Sequence, residues 1–450
     1  MAKKAGAITD IIEDGGDAHL LRTIGPWQMA FYGAGSMLGA GIYGLIGQAA
    51  GIMGSAVWLA FAVGLIAALL TGLSYASLGS RYPRAAGAAY VTQRAYGHGL
   101  LTHVVGLTVA FAGLTSIAAG ARVIAENLGR LPGLETWPLL GLAFLYLLVL
   151  GGIVYRGIRE SMWVNMACTA VEAGGLLLVL AVGVRYWGSA DLLEFPVNGT
   201  ADFSVVILIQ GVVLTFYSFL GFEDSFNVAE EVKNPRRNIP LGLVSALAFT
   251  ACIYIGVAIT AVSVVPWREL AEARAPLAEV MARAAPWFPT SAFLAITIFA
   301  VGNTGLINYI TTSRLLYGMA RDKRLPGMFA AVHRKRRTPH KAIFVILLIL
   351  AALVLSGDIS QLASATVLLL LLVFTAVNGS LAVLKLRPGE PKGGFEIPIF
   401  VPALGSVVCF ALFLARVGSG DWRAPAISVA LLVFVVVLYV FVKPKARSTV

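Results

Sequence analysis

The sequence predicts an all-α polytopic membrane protein of twelve transmembrane helices. Three observations carry that prediction. Apolar runs close to the roughly 20 residues needed to cross a bilayer recur along the whole 450-residue chain. Only 13% of residues are charged, about half the share of an ordinary soluble domain, while 58% are hydrophobic and the mean hydropathy is +0.83. When the runs are threaded across a membrane with the N-terminus inside, the cytoplasmic segments hold 26 of the 34 Lys and Arg residues, the asymmetry that sets orientation. This composition excludes a disordered chain and argues against a soluble enzyme. The net charge of +11 then belongs to topology and not to nucleic-acid binding.

Residues 1–25 are polar and mixed in charge, without the apolar centre of a signal peptide, and read as a cytoplasmic tail. Spans follow at 26–50, 54–78, 99–127, 136–155 and 161–187, then at 204–230, 240–265, 290–320, 341–357 and 360–384. Two more, 397–417 and 424–442, precede a second cytoplasmic tail at 443–450. No soluble domain is present between them. Cys168, Cys252 and Cys409 all fall in spans without motif spacing, so neither a disulfide framework nor a metal site is expected.

The first span contains GAGSMLGAGIYGLIG at 33–47, six glycines in fifteen residues. Each glycine weakens a helix interior by about 1 kcal/mol relative to alanine, so the cluster needs a reason. GAGIYG at 39–44 matches G-x-G-x-x-G, but that fingerprint requires a preceding strand and a soluble βαβ unit, and a membrane span supplies neither. Gly35 and Gly39 also form G-x-x-x-G, a face for close helix packing. The third reading is a broken helix. Gly39 and Gly41 let the backbone leave helical geometry, and the freed amides and carbonyls line a cavity, the setting that tolerates them at membrane depth. A half-helix N-terminus then offers N–H groups to a carboxylate. A half-helix C-terminus offers carbonyls to an ammonium group or a sodium ion.

The third span has His98 and His103 near its inner end, read as interfacial residues, and Arg122 and Glu126 near its outer end. The last two are four residues apart and share a helix face, as an ion pair would. In the fifth span, Glu172 sits in the middle of NMACTAVEAGGLLLVL. A lone carboxylate there is unfavourable. It is either a protonated side chain bonded to a neighbouring helix or an ion-coupling group.

The sixth span ends in TFYSFLGFEDSFNVAEEVKNPRRNIP at 215–240. Gly221 lies among aromatics, followed by Glu223 and Asp224. Acids at this depth must face a protein or water-filled interior, where they neutralise an amine, carry a proton or cap a half-helix. Glu230 and Glu231 are expected to pair with Lys233, Arg236 or Arg84 as an inner gate or a structural latch. Spans one and six are thus both interrupted, and they lie five spans apart. Two five-helix halves, 26–187 and 204–384, follow, the second inserted upside down because each half has an odd number of spans. Spans 397–442 stand outside the repeat. Paired interruptions at matched positions point to a transporter and its binding site.

The eighth span carries Asn308, Thr311, Thr312 and Ser313 in NTGLINYITTSR. These hydroxyls either bond their own backbone or contribute to a cation site. After it, HRKRRTPHK at 333–341 reads as a topology determinant, with an anionic-lipid contact as the alternative.

Several of these stretches resemble one family. GAGSMLGAGIYGLIG is similar to the first-helix motif of the amino acid–polyamine–organocation permeases. FYSFLGFEDSFNVAEEVKNPRRNIP is similar to their sixth-helix signature. SYASLGSRYPRAAGAAYVTQRAYG (74–97) resembles their loop between spans two and three, and SRLLYGMARDKRLP (313–326) the end of their eighth helix. The resemblance implies a LeuT-like fold and secondary active transport of amino acids or related amines. It places the backbone of Ala40, Gly41 and Ile42 at a substrate carboxylate and the carbonyls of Ser36, Met37 and Phe219 at the amino group. It also makes Phe222 a wall or gate of the cavity and gives Glu223 a gating or capping role. In sodium-coupled members of the fold, hydroxyls of the eighth helix help form a cation site, which implicates Thr311 and Thr312. Some proton-coupled members carry a lysine near the place of Glu172; this chain offers an acid.

The function that follows is a secondary transporter of amino acids or small amines in the cell membrane, with a proton favoured over sodium and no cofactor. An exchanger of two organic solutes is the nearest alternative. A non-transporting sensor would carry an output domain, and none is seen. An intramembrane enzyme would need a nucleophile–base pair or a metal-ligand cluster, and the motifs are missing. A channel fits poorly with two broken helices around a midplane site. Phe219, Phe222, Tyr43 and Tyr217 are the candidate aromatic walls, and the acids at 172, 223 and 224 keep a cationic amine in play.

Overall fold

The computed structural model describes residues 22–442 except 85–86, 130–132, 135, 197–204, 274, 357–358 and 419–421. The two tails expected at 1–25 and 443–450 therefore lie almost wholly outside the described residues. In chain order the helices are α1 (Pro26–Met37), α2 (Ala40–Met53), α3 (Val57–Arg81), α4 (Gly87–Tyr96), α5 (Gly99–Leu128), α6 (Leu139–Arg156) and α7 (Ile158–Gly183). Then come α8 (Val205–Phe216), the short α9 (Asp224–Asn227), α10 (Pro235–Val264), α11 (Trp267–Glu272), α12 (Pro276–Ala284) and α13 (Thr290–Arg321). The last four are α14 (His340–Ser356), α15 (Ile359–Leu386), α16 (Phe400–Val417) and α17 (Arg423–Val442).

Among the described residues, nine helical stretches are long and apolar enough to cross a membrane, and two shorter apolar helices, His340–Leu355 and Ser428–Phe441, accompany them. The all-helical, multi-pass character is as the sequence predicts. Three short helices lie where loops were expected. α4 follows α3, and α11 and α12 fill the connection between α10 and α13. α12 forms because Leu277, Val280, Met281 and Ala284 recur at helical spacing, and all four are buried.

Lipid offers helices no hydrophobic reason to associate, so contact depends on small residues that admit close packing. The core obeys this rule. A side chain at Gly72 or Gly79 of α3 would run into Leu247 or Ile239 of α10, and one at Gly106 or Gly113 of α5 into Met319 or Thr312 of α13. The outer helices show the reverse pattern. Leu145 and Leu148 of α6, Val407 and Leu414 of α16, and Val433 and Val437 of α17 turn large apolar side chains outward.

One end of the molecule carries most of the basic loops, and it is tied together outside the helices. The segment between α15 and α16 folds against the end of α3 and against α4. Glu396 there accepts from Arg81, from Lys385 (2.7 Å) and from the amide of Gly393 (2.8 Å). Glu390 accepts from Tyr82 (2.6 Å) and Arg94 (2.7 Å). Burial alone would raise the Glu396 carboxyl, but these donors outweigh it and hold it down to about 2.

Candidate functional site

The first span is broken. α1 stops at Met37 and α2 starts at Ala40, with Gly39 at φ −70°, ψ −136° between them. The first-turn amides of Ala40, Gly41 and Ile42 therefore have no acceptor within their own helix. The glycines serve the break and close packing together. A Cβ on Gly39 would fall 1.6 Å from Thr304 Oγ1 of α13, and one on Gly35 would fall 2.0 Å from Thr169 Oγ1 of α7.

The sixth span breaks as well. α8 ends at Phe216, a single 3-10 turn covers Tyr217–Phe219, and α9 begins at Asp224. Gly221 lies between at φ +122°, a region that side chains with a Cβ rarely adopt. The two breaks cross each other. A Cβ on Gly221 would lie 2.5 Å from the Ser36 carbonyl oxygen, and one on Gly41 would lie 2.6 Å from Ser218 Cα. Tyr254 of α10 joins them, its hydroxyl lying against the carbonyl of Met37 and 3.0 Å from that of Ser218.

At this crossing a cavity opens. From the broken spans it takes Ser36, Met37, Gly41, Tyr217, Gly221 and Glu223, with Leu220 and Asp224 beside them. Opposite stand Gly113 and Ser116 of α5, Thr304, Asn308 and Thr311 of α13, and Thr366 of α15. Among the described residues the wall contains two acidic side chains and no basic one. Both acids are anchored. Ser36 Oγ donates to Asp224 Oδ2 at 2.6 Å, a bond that ties α1 to α9. Glu223 Oε2 accepts from the amide of Gly221 at 2.8 Å, satisfying backbone freed by the break.

The remaining residues singled out in the sequence divide into three groups. Thr311 reaches the cavity and bonds Tyr32 at 3.0 Å, whereas Thr312 is buried beside Gly113. Phe219 and Phe222 are fully buried in aromatic packing: Phe219 against Phe61 and Tyr254, Phe222 against Tyr75 and Phe374. From their segment, Tyr217 and Leu220 face the cavity instead. Glu172 does not line this cavity. Its Oε1 accepts from Asn303 Nδ2 (2.9 Å), and its Oε2 has no hydrogen-bond partner among the described residues. Asn303 also donates to Thr169 (2.9 Å) and accepts from Asn165 (2.9 Å). This buried polar cluster packs against Gly35. Asn165, Thr169 and Glu172 are spaced i, i+4, i+7, a single helix face. The sequence reading took only the acid, although that spacing was there to be read.

A sequence model of the amino acid permease family matches residues 24–442. The chain belongs to the amino acid permease family. An uncharacterized transporter of Mycobacterium tuberculosis is 30% identical over 408 residues, covering 89% of this chain and 88% of that protein. The methylthioribose transporter of Bacillus subtilis is 27% identical over 446 residues, 93% of this chain and 94% of its own length. Cationic amino acid transporter 9, chloroplastic, of Arabidopsis thaliana is 29% identical over 349 residues, 72% of this chain and 59% of that longer protein. The resemblance to the amino acid–polyamine–organocation permeases is thereby established, and the protein is a transporter and not an enzyme.

In this permease the basic end is closed by partners other than those expected. Glu231 faces Arg314 of α13 at 3.4 Å, both side chains fully buried, and Glu230 takes two bonds from Arg321 (2.8 and 2.5 Å). The expected partners are Lys233, Arg236 or Arg84; among the described residues the buried Glu231 takes its ion pair from Arg314 instead. The reason is geometric: after the break the chain turns beneath α13, so α13 supplies the guanidinium groups. The backbone adds a clasp. Thr23 and Ile24 amides both donate to the Glu231 carbonyl at 2.9 Å, and the Lys233 amide donates to that of Ile24 at 2.9 Å. Of the other expected pairs, Arg122 donates to the carbonyl of Val354 (3.1 and 2.6 Å), and the side chain of Glu126 lies outside the described residues. His103 is fully buried, edge-on to Tyr439.

Proposed function

We propose that this permease is a proton-coupled secondary transporter of amino acids or small amines, working by alternating access. The observation that supports it best is the crossing of two broken helices at a cavity walled by two carboxylates and no cation. Such a wall favours a positively charged amino or amine group. The α2 amides of Ala40, Gly41 and Ile42 receive a carboxylate when the substrate has one. The carbonyls of Ser36, Met37 and Phe219, with Glu223 and Asp224, receive the ammonium. The relatives named as cationic amino acid transporters agree with that charge preference.

Under this reading the chain has twelve spans in a LeuT-like arrangement. The halves 26–187 and 204–384 form an inverted repeat, followed by 397–442, with both termini cytoplasmic in the plasma or inner membrane. The basic end is then the cytoplasmic one. Glu172 carries the coupling proton. Its second oxygen accepts it, and the bond from Asn303, which also holds Thr169, links its state to Gly35 of α1, the half-helix that must move. Thr311 and Thr312 on α13 are the groups through which a sodium ion would act in its place.

Proteoliposomes test the coupling directly. A pH gradient, acidic outside, should drive accumulation of a radiolabelled cationic amino acid without sodium. E172Q should abolish that accumulation while preserving exchange of internal for external substrate. Accumulation that requires sodium, or that survives E172Q, would sink the proton assignment.

A further inference from the structure

A groove of about 600 Å³ runs along the outside of the molecule between α6 and α14. Its walls are Leu148 and Gly152 on one helix and Phe344 and Leu347 on the other. Phe344 and Leu148 are 61% and 58% exposed, so the groove opens onto hydrocarbon. From Leu148 to Tyr155 and from His340 to Leu347 each wall spans eight residues, about 10 Å of helix, and it ends at Tyr155, His340 and Lys341.

The loop at that end is folded into a cap. Thr338 Oγ1 donates to the Tyr155 carbonyl (3.3 Å), and Arg336 Nη1 to that of Arg156 (3.3 Å). The Arg336 guanidinium also lies 5.4 Å over the Tyr155 ring, and His333 meets the same ring edge-on. This docking gathers positive charge around the mouth. Residues 155–160 and 333–341 contain seven Lys and Arg against one acid, Glu160. Lys341 is exposed at the mouth, and none of the seven forms an ion pair among the described residues. Topology needs such charges only in the loop. It does not require them to be fastened over the end of an apolar groove.

We propose that this groove is a binding site for an anionic phospholipid of the surrounding leaflet. One acyl chain lies along Gly152 and Phe344, and the phosphate sits among Lys341, Arg336 and their neighbours. Charge complementarity selects the occupant: the walls are apolar where the chains lie and basic at headgroup depth. The site is separate from the substrate cavity, so it holds whatever the transported solute is.

Two variants test it. A Cβ added at Gly152 meets nothing within 4 Å, and Gly152 lines the groove, so G152W starts its side chain in open space and places an indole where the acyl chain would lie. The pair R336Q/K341Q removes charge at exposed positions. Purified full-length protein in neutral detergent is heated with added phosphatidylglycerol, with phosphatidylcholine, or with inorganic phosphate. Phosphatidylglycerol alone should raise Tm. G152W should lose most of that rise with its lipid-free Tm unchanged, and R336Q/K341Q should weaken apparent affinity by roughly fivefold per charge. An equal rise with phosphatidylcholine, a rise with phosphate alone, or a full phosphatidylglycerol response in G152W would each overturn the proposal.

Discussion

Asp224 is the residue whose charge matters most to the cavity. It lies in the wall, buried, with a short bond from Ser36 to orient it. Replacing it by asparagine keeps the size and one acceptor oxygen but removes the charge. D224N should therefore lower affinity for cationic amines at least tenfold, the scale of a lost charge-assisted bond, with little change in Tm. Titration of the purified variant with lysine and with a neutral amino acid would check this. Equal affinity for lysine in both proteins would move the ammonium site elsewhere. Glu223 differs because its carboxylate is committed to the Gly221 amide; its loss should disturb the break as well as the ligand.

Between elements, contact distance controls the fold. The break before α2 and α13 approach so closely at Gly39 that a methyl group there overlaps the Thr304 hydroxyl. G39A should abolish both ligand binding and most of the thermal stability. T304A in the same chain should restore part of each, because it removes the atom that a Cβ at Gly39 would meet at 1.6 Å. If G39A alone behaves as wild type, the break is not held by this contact. The same rule governs α3 against α10 and α5 against α13, where glycines face large side chains.

Across the whole molecule, the basic end is fastened by ion pairs of two kinds. The Arg314–Glu231 pair is fully buried, and removing one partner leaves an unpaired buried charge, at a cost of about 3–5 kcal/mol. R314A should give a large fall in Tm, and R314A/E231A should recover much of it. Equal destabilisation by the single and double variants would mean that the arginine acts through packing alone. Glu396 is a partly exposed acid clamped by Arg81 and Lys385. Its carboxyl is held down from 4.5 to about 2, so its contribution is complete above pH 4.5 and is lost as pH falls toward 2. E396Q should lower Tm by a few degrees at most at pH 7, and the gap from wild type should narrow through that acid window. A gap independent of pH would assign the effect to shape.

The sequence by itself determined the class of protein, the positions of the broken spans and the family. These are legible because lipid imposes local rules. A span must be long and apolar, its breaks must be small or polar, and a buried acid must be rare and placed. GAGSMLGAGIYGLIG and FYSFLGFED carry those signals within a few residues each. Only the tertiary structure decided which groups meet. Phe219, Phe222 and Tyr217 all looked like aromatic walls; Phe222 packs against Tyr75 and Phe374, while Tyr217, five residues earlier, faces the cavity. Glu230 and Glu231 were matched to Lys233, Arg236 or Arg84, whereas Glu231 meets Arg314 and Glu230 meets Arg321, both on α13. Tyr254, which spans both breaks, carried no local signal at all. A side chain's direction depends on the rotation of its helix, and an ion pair's partner on which helix packs beneath it. Both are fixed by contacts between residues far apart in the chain, which composition and spacing do not encode.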